Sequence, residues 1–200
     1  DYKTSLFHGG FTGTMGFYSF SQKAGFQQHF GLEEYKNMED FDGSWGIYDK
    51  PFMQFFVNHL AEEKEPFFST LFTLSSHPPY TLPTNFQHNF EEIGIQETIS
   101  YTDYAMAEFF KKAKKEKWYN NTVFVITADH TASAWSINKK YKNKIGKYAI
   151  PMIIFYGDSS LQGGEEKIVQ QIDIMPTILE LLGYNKPFFA FGESMLSDKG

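Results

Sequence analysis

The sequence predicts an α/β protein in which helices cover both faces of a mostly parallel sheet. Strand-like and helix-like segments alternate along the chain, a pattern typical of parallel strands joined by crossover helices. The stretch Asn120–His130 contains a continuous apolar run, as expected of a strand buried on both faces. This run leads into Asp129 and His130, and two other strand-like segments lead into His8 and His77.

Five segments have the composition of strands, because they are rich in β-branched and aromatic residues and are bounded by turn signals. They are Tyr2–His8, Phe26–Phe30, Pro66–Leu74, Asn120–Ala128 and Ala149–Tyr156. Two glycines, Gly9 and Gly10, end the first strand and allow the backbone to approach a ligand closely. Two polar stretches, Gly31–Ser44 and Thr131–Lys147, are predicted to be loops.

Four segments carry apolar residues at helical spacing. They are Thr14–Ala24, the residues after Asp49, Gln96–Lys117, and the residues between Asp173 and Gly183. Asp49 is the predicted N-cap of the second helix, with Pro51 in its first turn. Asp173 has the same role in the fourth helix, and Gly183 follows the end of that helix.

The composition indicates a globular domain and excludes several functions. A chain of 200 residues fits one domain with a sizeable core. The chain is rich in aromatic residues, with 22 Phe and 12 Tyr. The Phe residues fall mostly in the predicted strands and helices, which favours core packing over contact with sugars or lipids. The net charge of −6, without a basic face, argues against nucleic acid as a partner. Without cysteine, the chain has neither disulfides nor thiolate metal sites.

The sequence shows no segment that targets or anchors the chain. No apolar run approaches the roughly 20 residues that cross a bilayer, and no signal peptide is present. The opening residues, DYKTSLFHGG, have the pattern of a strand that has already begun. We therefore expect the chain to be a fragment that is truncated at its N-terminus.

The strand ends are the predicted functional site, since ligands of open α/β sheets bind where the strands end. If the three strongest strands are parallel neighbours, His8, His77, Asp129 and His130 converge at one edge of the sheet. Asp and His are common ligands of divalent metals, so Asp129 and His130 are the candidate metal ligands. The alternative is a turn in which Asp129 is a cap and His130 is merely exposed.

The two other strand-end histidines are candidates for contact with an anion. His77, held by Pro78 and Pro79, is suited to donate a hydrogen bond to an oxyanion or a leaving group. The alternative is a turn made rigid by the two prolines. His8 is the second candidate, and its alternative role is a strand cap. Structural or surface roles are predicted for His29, His59 and His88. Packing or capping roles are predicted for Trp45, Asp49 and Trp135.

No nucleophile is evident in the sequence. The G-x-S-x-G pattern, the P-loop pattern and cysteine are all absent. No serine or threonine has an obvious activating partner nearby in the sequence. The residues therefore predict half of a metal site with two helper histidines.

Several motifs, taken together and in order, resemble the sulfatase-like branch of the alkaline phosphatase superfamily, and in particular the lipoteichoic acid synthase-like phosphoglycerol transferases. The motifs are YKTSLFHGG, WGIYDKPF, SSHPPY, YTDYAMAEFF, NNTVFVITADH, IPMIIF, QQIDIMPTILELLGY and FGESML. The resemblance implies that residues 1–200 are the C-terminal portion of a single catalytic domain. The implied fold is a three-layer α/β/α sandwich with a mostly parallel sheet.

The resemblance also implies roles for four residues. Asp129 and His130 correspond to ligands of one divalent metal ion, for which Mn is favoured and Mg, Zn or Ca are alternatives. His77 corresponds to a catalytic histidine that contacts the substrate phosphate or sulfate, and His8 to a histidine that lines the substrate pocket. The family's nucleophile, a Thr in this branch, and its acidic metal ligand correspond to positions before Asp1. We therefore expect residues 1–200 alone to be inactive and to bind metal weakly or not at all.

The implied function is metal-dependent transfer or hydrolysis of phosphoric or sulfuric esters, on a small anionic ester or a lipid head group of the cell envelope. Gly9–Phe17 lacks the acidic residue, Trp and Arg that the glycerol phosphate synthases carry there, which leaves the substrate open. The alternatives are a sulfatase that acts on glycans and a non-catalytic domain that binds anionic envelope polymers. The resemblance places the domain on the extracytoplasmic face of a bacterial membrane, anchored by N-terminal helices outside this sequence.

Overall fold

The computed structural model of the protein describes residues 1–132, 139–161, 163–164 and 167–197. The described strands are β1 (Lys3–His8), β2 (Gln28–Phe30), β3 (Phe67–Phe72), β4 (Val123–Thr127) and β5 (Met152–Tyr156). The α-helices are α1 (Phe17–Ala24), α2 (Leu32–Tyr35), α3 (Asp49–Glu62), α4 (Ile95–Ala113) and α5 (Ile174–Leu181). Short 3₁₀ turns lie at Thr14–Gly16, Met38–Asp40, Tyr119–Asn121, Lys139–Tyr141, Gly146–Tyr148 and Gln171–Asp173.

The five predicted strands are confirmed, each shorter than predicted, and the four predicted helices are confirmed as α1, α3, α4 and α5. The prediction of a loop over Gly31–Ser44 is wrong in part, because α2 lies there. This helix begins where the Glu34 carboxylate accepts a hydrogen bond from the Gly31 N–H at 2.8 Å. Part of the second predicted loop, including Trp135, lies outside the described residues.

The parallel part of the sheet has the strand order β2–β1–β3. In the register of β1 with its two neighbours, Phe7 lies opposite Phe30 of β2 and Leu71 of β3. The expectation that the strand before Asp129 is a parallel neighbour of β1 and β3 is wrong. Among the described strands, β4 pairs antiparallel with β5 in a separate two-stranded sheet.

Helices lie on both faces of β1, because successive side chains of a strand point to opposite faces. The Phe7 side chain lies in the core, where α3 packs, and its ring centroid is 4.8 Å from that of Phe56. His8 points to the other face, where the Phe17 ring of α1 stacks on its imidazole at 4.1 Å. Helix α4 packs on α3.

Six of the thirteen buried core residues that the structure describes are aromatic, which supports the interpretation of phenylalanines as packing residues for part of the set. Other phenylalanines, such as Phe20, Phe189 and Phe191, are exposed. The buried core residues are Phe7, Leu32, Ile47, Phe52, Met53, Phe56, Val57, Leu60, Ala105, Phe109, Ala113, Trp118 and Tyr119. Burying one such side chain contributes about 1.5–3 kcal/mol. The core therefore joins β1, α3 and α4 into one rigid support for the ends of β1 and β3.

The chain divides into two compact units, residues 1–161 and 162–200. In the second unit, Asp173 is the N-cap of α5, as predicted. Its carboxylate accepts hydrogen bonds from the N–H groups of Gln170 at 2.8 Å and Glu193 at 3.0 Å. A single domain over residues 1–200 stays a prediction. None of the described helices is long and apolar enough to cross a bilayer.

Candidate active site

His8 and the loop that carries His77 lie at the ends of two neighbouring parallel strands. His8 is the last residue of β1 and lies opposite Phe72, the last residue of β3. His77 follows in the loop after β3, where its N–H donates a hydrogen bond to the Leu74 carbonyl at 3.2 Å. Because the two strands are parallel, both histidines follow strand ends at the same edge of the sheet.

His8 is enclosed and uncharged at neutral pH. The residue is 1% exposed, and neither ring nitrogen has a hydrogen-bond partner among the described residues. Burial, with a smaller effect from the positive charge of His29, lowers the pKa of His8 to about 4. The predicted role of His8 in lining a substrate pocket therefore requires the Phe17 ring to move off the imidazole.

His77 has a defined tautomer. Its Nδ1 lies 2.8 Å from the Pro78 carbonyl oxygen. A carbonyl oxygen only accepts hydrogen bonds, so Nδ1 carries the proton. In the neutral ring, Nε2 then has a lone pair, and the ring is exposed to solvent. This arrangement suits a histidine that meets a substrate oxygen through Nε2.

Asp49 anchors the start of the His77 loop, a role that the sequence did not indicate. Its prediction as a helix cap is wrong, because Tyr48 occupies the N-cap position of α3. The Asp49 carboxylate instead accepts hydrogen bonds from Leu74 N at 2.9 Å, Ser75 N at 3.1 Å and Thr102 Oγ1 at 2.7 Å. Burial raises the pKa of Asp49, and these donors act in the opposite direction.

Asp129 and His130 follow β4 and are exposed, with 55% and 72% of their side chains accessible. His130 Nδ1 lies 2.8 Å from the Thr131 carbonyl oxygen, which places a proton on Nδ1. His130 Nε2 lies 3.4 Å from Asp129 Oδ2. A neutral His130 therefore presents a nitrogen lone pair beside a carboxylate oxygen.

This pair fits a divalent metal ion. Metal-binding histidines usually donate the other ring N–H to a carbonyl or carboxylate, as His130 does. Two ligands about 2.1 Å from one ion lie roughly 3.4 Å apart around a tetrahedral ion such as Zn, and roughly 3.0 Å apart when they are neighbours around an octahedral ion such as Mg or Mn. Their nitrogen and oxygen donors suit Mn, Mg or Zn. Among the described residues no group of three or more His, Cys, Asp and Glu side chains could hold a metal.

The structure places only two of the four predicted site residues, His8 and His77, at the ends of neighbouring strands. Asp129 and His130 instead follow a strand of the second sheet. Two surface cavities of the described residues contain none of these four residues. One, of about 570 Å³, is lined by residues of the second compact unit. The other, of about 590 Å³, is formed by Thr84, Phe86, Gln87, His88 and Asn89.

The protein thus has an α/β fold, with His8 and the His77 loop at the ends of two parallel strands and an Asp-His pair after β4. The sequence model of the family described as Sulfatase matches residues 1–184. The chain therefore belongs to the sulfatase family, whose superfamily members generally use divalent metals.

Similar curated proteins are lipoteichoic acid synthases. Those of Staphylococcus saprophyticus and Staphylococcus aureus are each 28% identical over 98% of this chain. The chain spans about a third of the length of these relatives.

Solved structures show the same fold. An alkaline phosphatase superfamily protein from Vibrio parahaemolyticus matches 91% of this chain and 45% of its own, with 31% identity and a TM-score of 0.78. The lipoteichoic acid synthase LtaP of Listeria monocytogenes matches 98% of this chain and 52% of its own, with 23% identity and a TM-score of 0.79. The Streptococcus pyogenes phosphoglycerol transferase GacH, in complex with sn-glycerol-1-phosphate, matches 90% and 49%, with 16% identity and a TM-score of 0.62.

Proposed function

We propose that this chain contributes to a metal-dependent enzyme that transfers or hydrolyses phosphoric or sulfuric esters, with a phosphoglycerol or related ester of the cell envelope as substrate. The observation that carries the proposal is the Asp129–His130 pair, in which the Nε2 atom of the imidazole and a carboxylate oxygen lie 3.4 Å apart at a strand end. Membership of the sulfatase family supports the reaction class. The named relatives support the envelope substrate and an extracytoplasmic location.

Each candidate residue has a distinct role in this proposal. Asp129 and His130 would hold the ion, with Mn as the proposed metal. A bound divalent ion polarises the ester oxygen and lowers the pKa of a hydroxyl nucleophile. His77 would orient the ester through Nε2, because its Nδ1 proton is occupied by the Pro78 carbonyl. The neutral ring of His8 would offer a second hydrogen bond once Phe17 has moved.

A metal-binding and activity experiment tests the proposal. The natural full-length protein is assayed with Mn, Mg, Zn or Ca on p-nitrophenyl phosphate, p-nitrophenyl sulfate and phosphatidylglycerol, and its metal content is measured by elemental analysis. We expect turnover of at least one ester. Asp129→Asn and His130→Gln should each lower the metal content and reduce turnover by at least a hundredfold, since loss of either ligand weakens the site.

The matched controls are Asp103→Asn and His88→Gln, which change the same residue types at exposed positions outside the proposed site. Both should keep wild-type metal content and turnover. The proposal is wrong if the folded wild-type protein turns over none of the esters and retains no metal. Equal metal content in Asp129→Asn, His130→Gln and the controls would remove these two residues from the site.

A further inference from the structure

The turn before α3 is tightly organised around one carboxylate. Asp42 Oδ1 accepts hydrogen bonds from the N–H groups of Ser44 at 2.8 Å, Trp45 at 2.8 Å and Gly46 at 3.1 Å. The Gly46 carbonyl in turn accepts from the Asp42 N–H at 2.8 Å. These bonds define the backbone position of Trp45.

The same turn packs against the backbone that follows His8. The Ile47 N–H donates to the Gly9 carbonyl at 3.0 Å. A Cβ atom on Gly10 would lie 2.8 Å from the Trp45 carbonyl oxygen and 2.7 Å from His8 Cε1. Glycine at position 10 therefore permits the backbone at Trp45 to lie close to the backbone that follows β1.

The Trp45 side chain reaches the other histidine. Its Nε1–H donates to the Pro78 carbonyl oxygen at 2.6 Å. That oxygen also accepts from His77 Nδ1 at 2.8 Å, so two donors use its two lone pairs. The Trp45 and His77 rings meet edge to face, with 4.2 Å between centroids. Trp45 thus contacts the His77 ring and also the carbonyl that determines its tautomer.

We propose that Trp45 is the positioning residue of His77. It holds the Pro78 carbonyl in place, keeps the proton of His77 on Nδ1 and leaves Nε2 for the substrate oxygen. An imidazole without such a carbonyl exchanges between its two tautomers, since neither nitrogen is committed. The importance of this tautomer for turnover rests on the proposed function, whereas the tautomer itself is measurable without any substrate.

The test compares Trp45→Phe, which keeps an aromatic ring but removes the N–H, with Trp45→Ala, which removes both. Long-range ¹H–¹⁵N NMR spectra of the labelled protein report the tautomer of His77, and His77→Gln assigns its signals. We expect the Nδ1–H form in the wild type. The share of the Nε2–H form should rise several-fold in Trp45→Phe and further in Trp45→Ala.

The control is Trp118→Phe, because Trp118 is buried and its Nε1 has no hydrogen-bond partner among the described residues. This variant should keep the wild-type tautomer, which separates a specific effect from general loosening of the fold. An unchanged His77 tautomer in Trp45→Phe would overturn the proposal. If Trp45→Ala does not fold, Trp45→Phe alone decides.

Kinetics separate this inference from the proposed function. In the natural full-length protein, Trp45→Phe should lower kcat/KM at least tenfold without changing metal content. A tautomer shift in a protein that turns over no ester would support the positioning role and contradict the enzyme function. Turnover with an unchanged tautomer would support the enzyme function and contradict the positioning role.

Discussion

His8 is the last residue of β1, and its imidazole lies in contact with the Phe17 and Phe72 rings. Such an environment favours the neutral ring, because desolvation penalises the charged form. At neutral pH this histidine is therefore not a cationic anion-binding group. It offers one hydrogen-bond donor and one acceptor, both without partners among the described residues.

Burial of His8 predicts a loss of stability in acid. Its pKa of about 4 in the folded state lies below the ordinary histidine value of 6.5. As the pH falls, His8 therefore binds a proton in the unfolded chain before it does so in the folded chain. The stability that neutral His8 contributes is present above pH 6.5 and is lost as the pH falls toward 4. The free energy of unfolding should decrease by roughly 3 kcal/mol from this residue between pH 7 and pH 4.

Urea unfolding at several pH values measures this effect. His8→Phe should show a shallower decrease of unfolding free energy with falling pH than the wild type. The exposed His88 provides the control, and His88→Gln should follow the wild-type curve. Identical pH slopes for His8→Phe and the wild type would show that His8 is not the responsible group.

At the scale of elements, α3 is connected to both the His77 loop and α4 through Asp49. Asp49 is 2% exposed, and its carboxylate accepts hydrogen bonds from two backbone N–H groups of the loop and from the Thr102 hydroxyl of α4. The Asp49 N–H also donates to Ser75 Oγ at 2.9 Å. A side chain at the start of α3 thus determines where the chain leaves β3.

Removal of the Asp49 carboxylate should destabilise the protein and loosen the loop. Asp49→Ala leaves two buried backbone N–H groups and the partly buried Thr102 hydroxyl without their acceptor, so the free energy of unfolding should fall by about 3 kcal/mol. Asp103→Ala, at an exposed position of α4, should cost less than about 0.5 kcal/mol. Chemical denaturation measures both changes, and equal effects would show that the Asp49 contacts contribute nothing specific.

At the scale of the whole molecule, the two sheets differ in the strand pairing and core packing that stabilise them. β1 is paired on both sides and contributes Phe7 to the core, whereas β4 and β5 form a two-stranded sheet. Two strands alone are marginally stable in water, so β4–β5 depends on packing. That packing includes Phe124 of β4 and Phe155 of β5, whose ring centroids are each within 6 Å of that of Phe110 in α4.

This difference predicts an order of local stability. In native-state hydrogen exchange followed by mass spectrometry, the amides of β1 should exchange slowest, because they open only with the core. Those of β4 and β5 should exchange earlier, and those of the loop from Thr81 to Ile93 should exchange first. Exchange in Val123–Thr127 that is slower than in Lys3–His8 would contradict this order.

Much of the fold was predictable because its signals are local. The continuous apolar run before Asp129 indicated β4, and the spacing of apolar residues indicated α4. The side-by-side placement of Asp129 and His130 followed from their adjacency in the sequence. The structure shows in addition that His130 Nδ1 faces a carbonyl oxygen and therefore carries a proton. The partner of β4 was not predictable, since a strand's own pattern does not state which strand it pairs with.

The sequence by itself determined the order along the chain of the five strands and of α1, α3, α4 and α5, the residues at the end of each strand, and the family. These depend on neighbouring residues and on motif order. The tertiary structure alone decided that His8 is enclosed, that Asp49 anchors a loop and that Trp45 reaches Pro78. The last two contacts join residues far apart in the chain, 33 positions for Trp45 and Pro78 and 53 for Asp49 and Thr102. Only the folded chain brings such residues together, and burial there determines their protonation and hydrogen bonding.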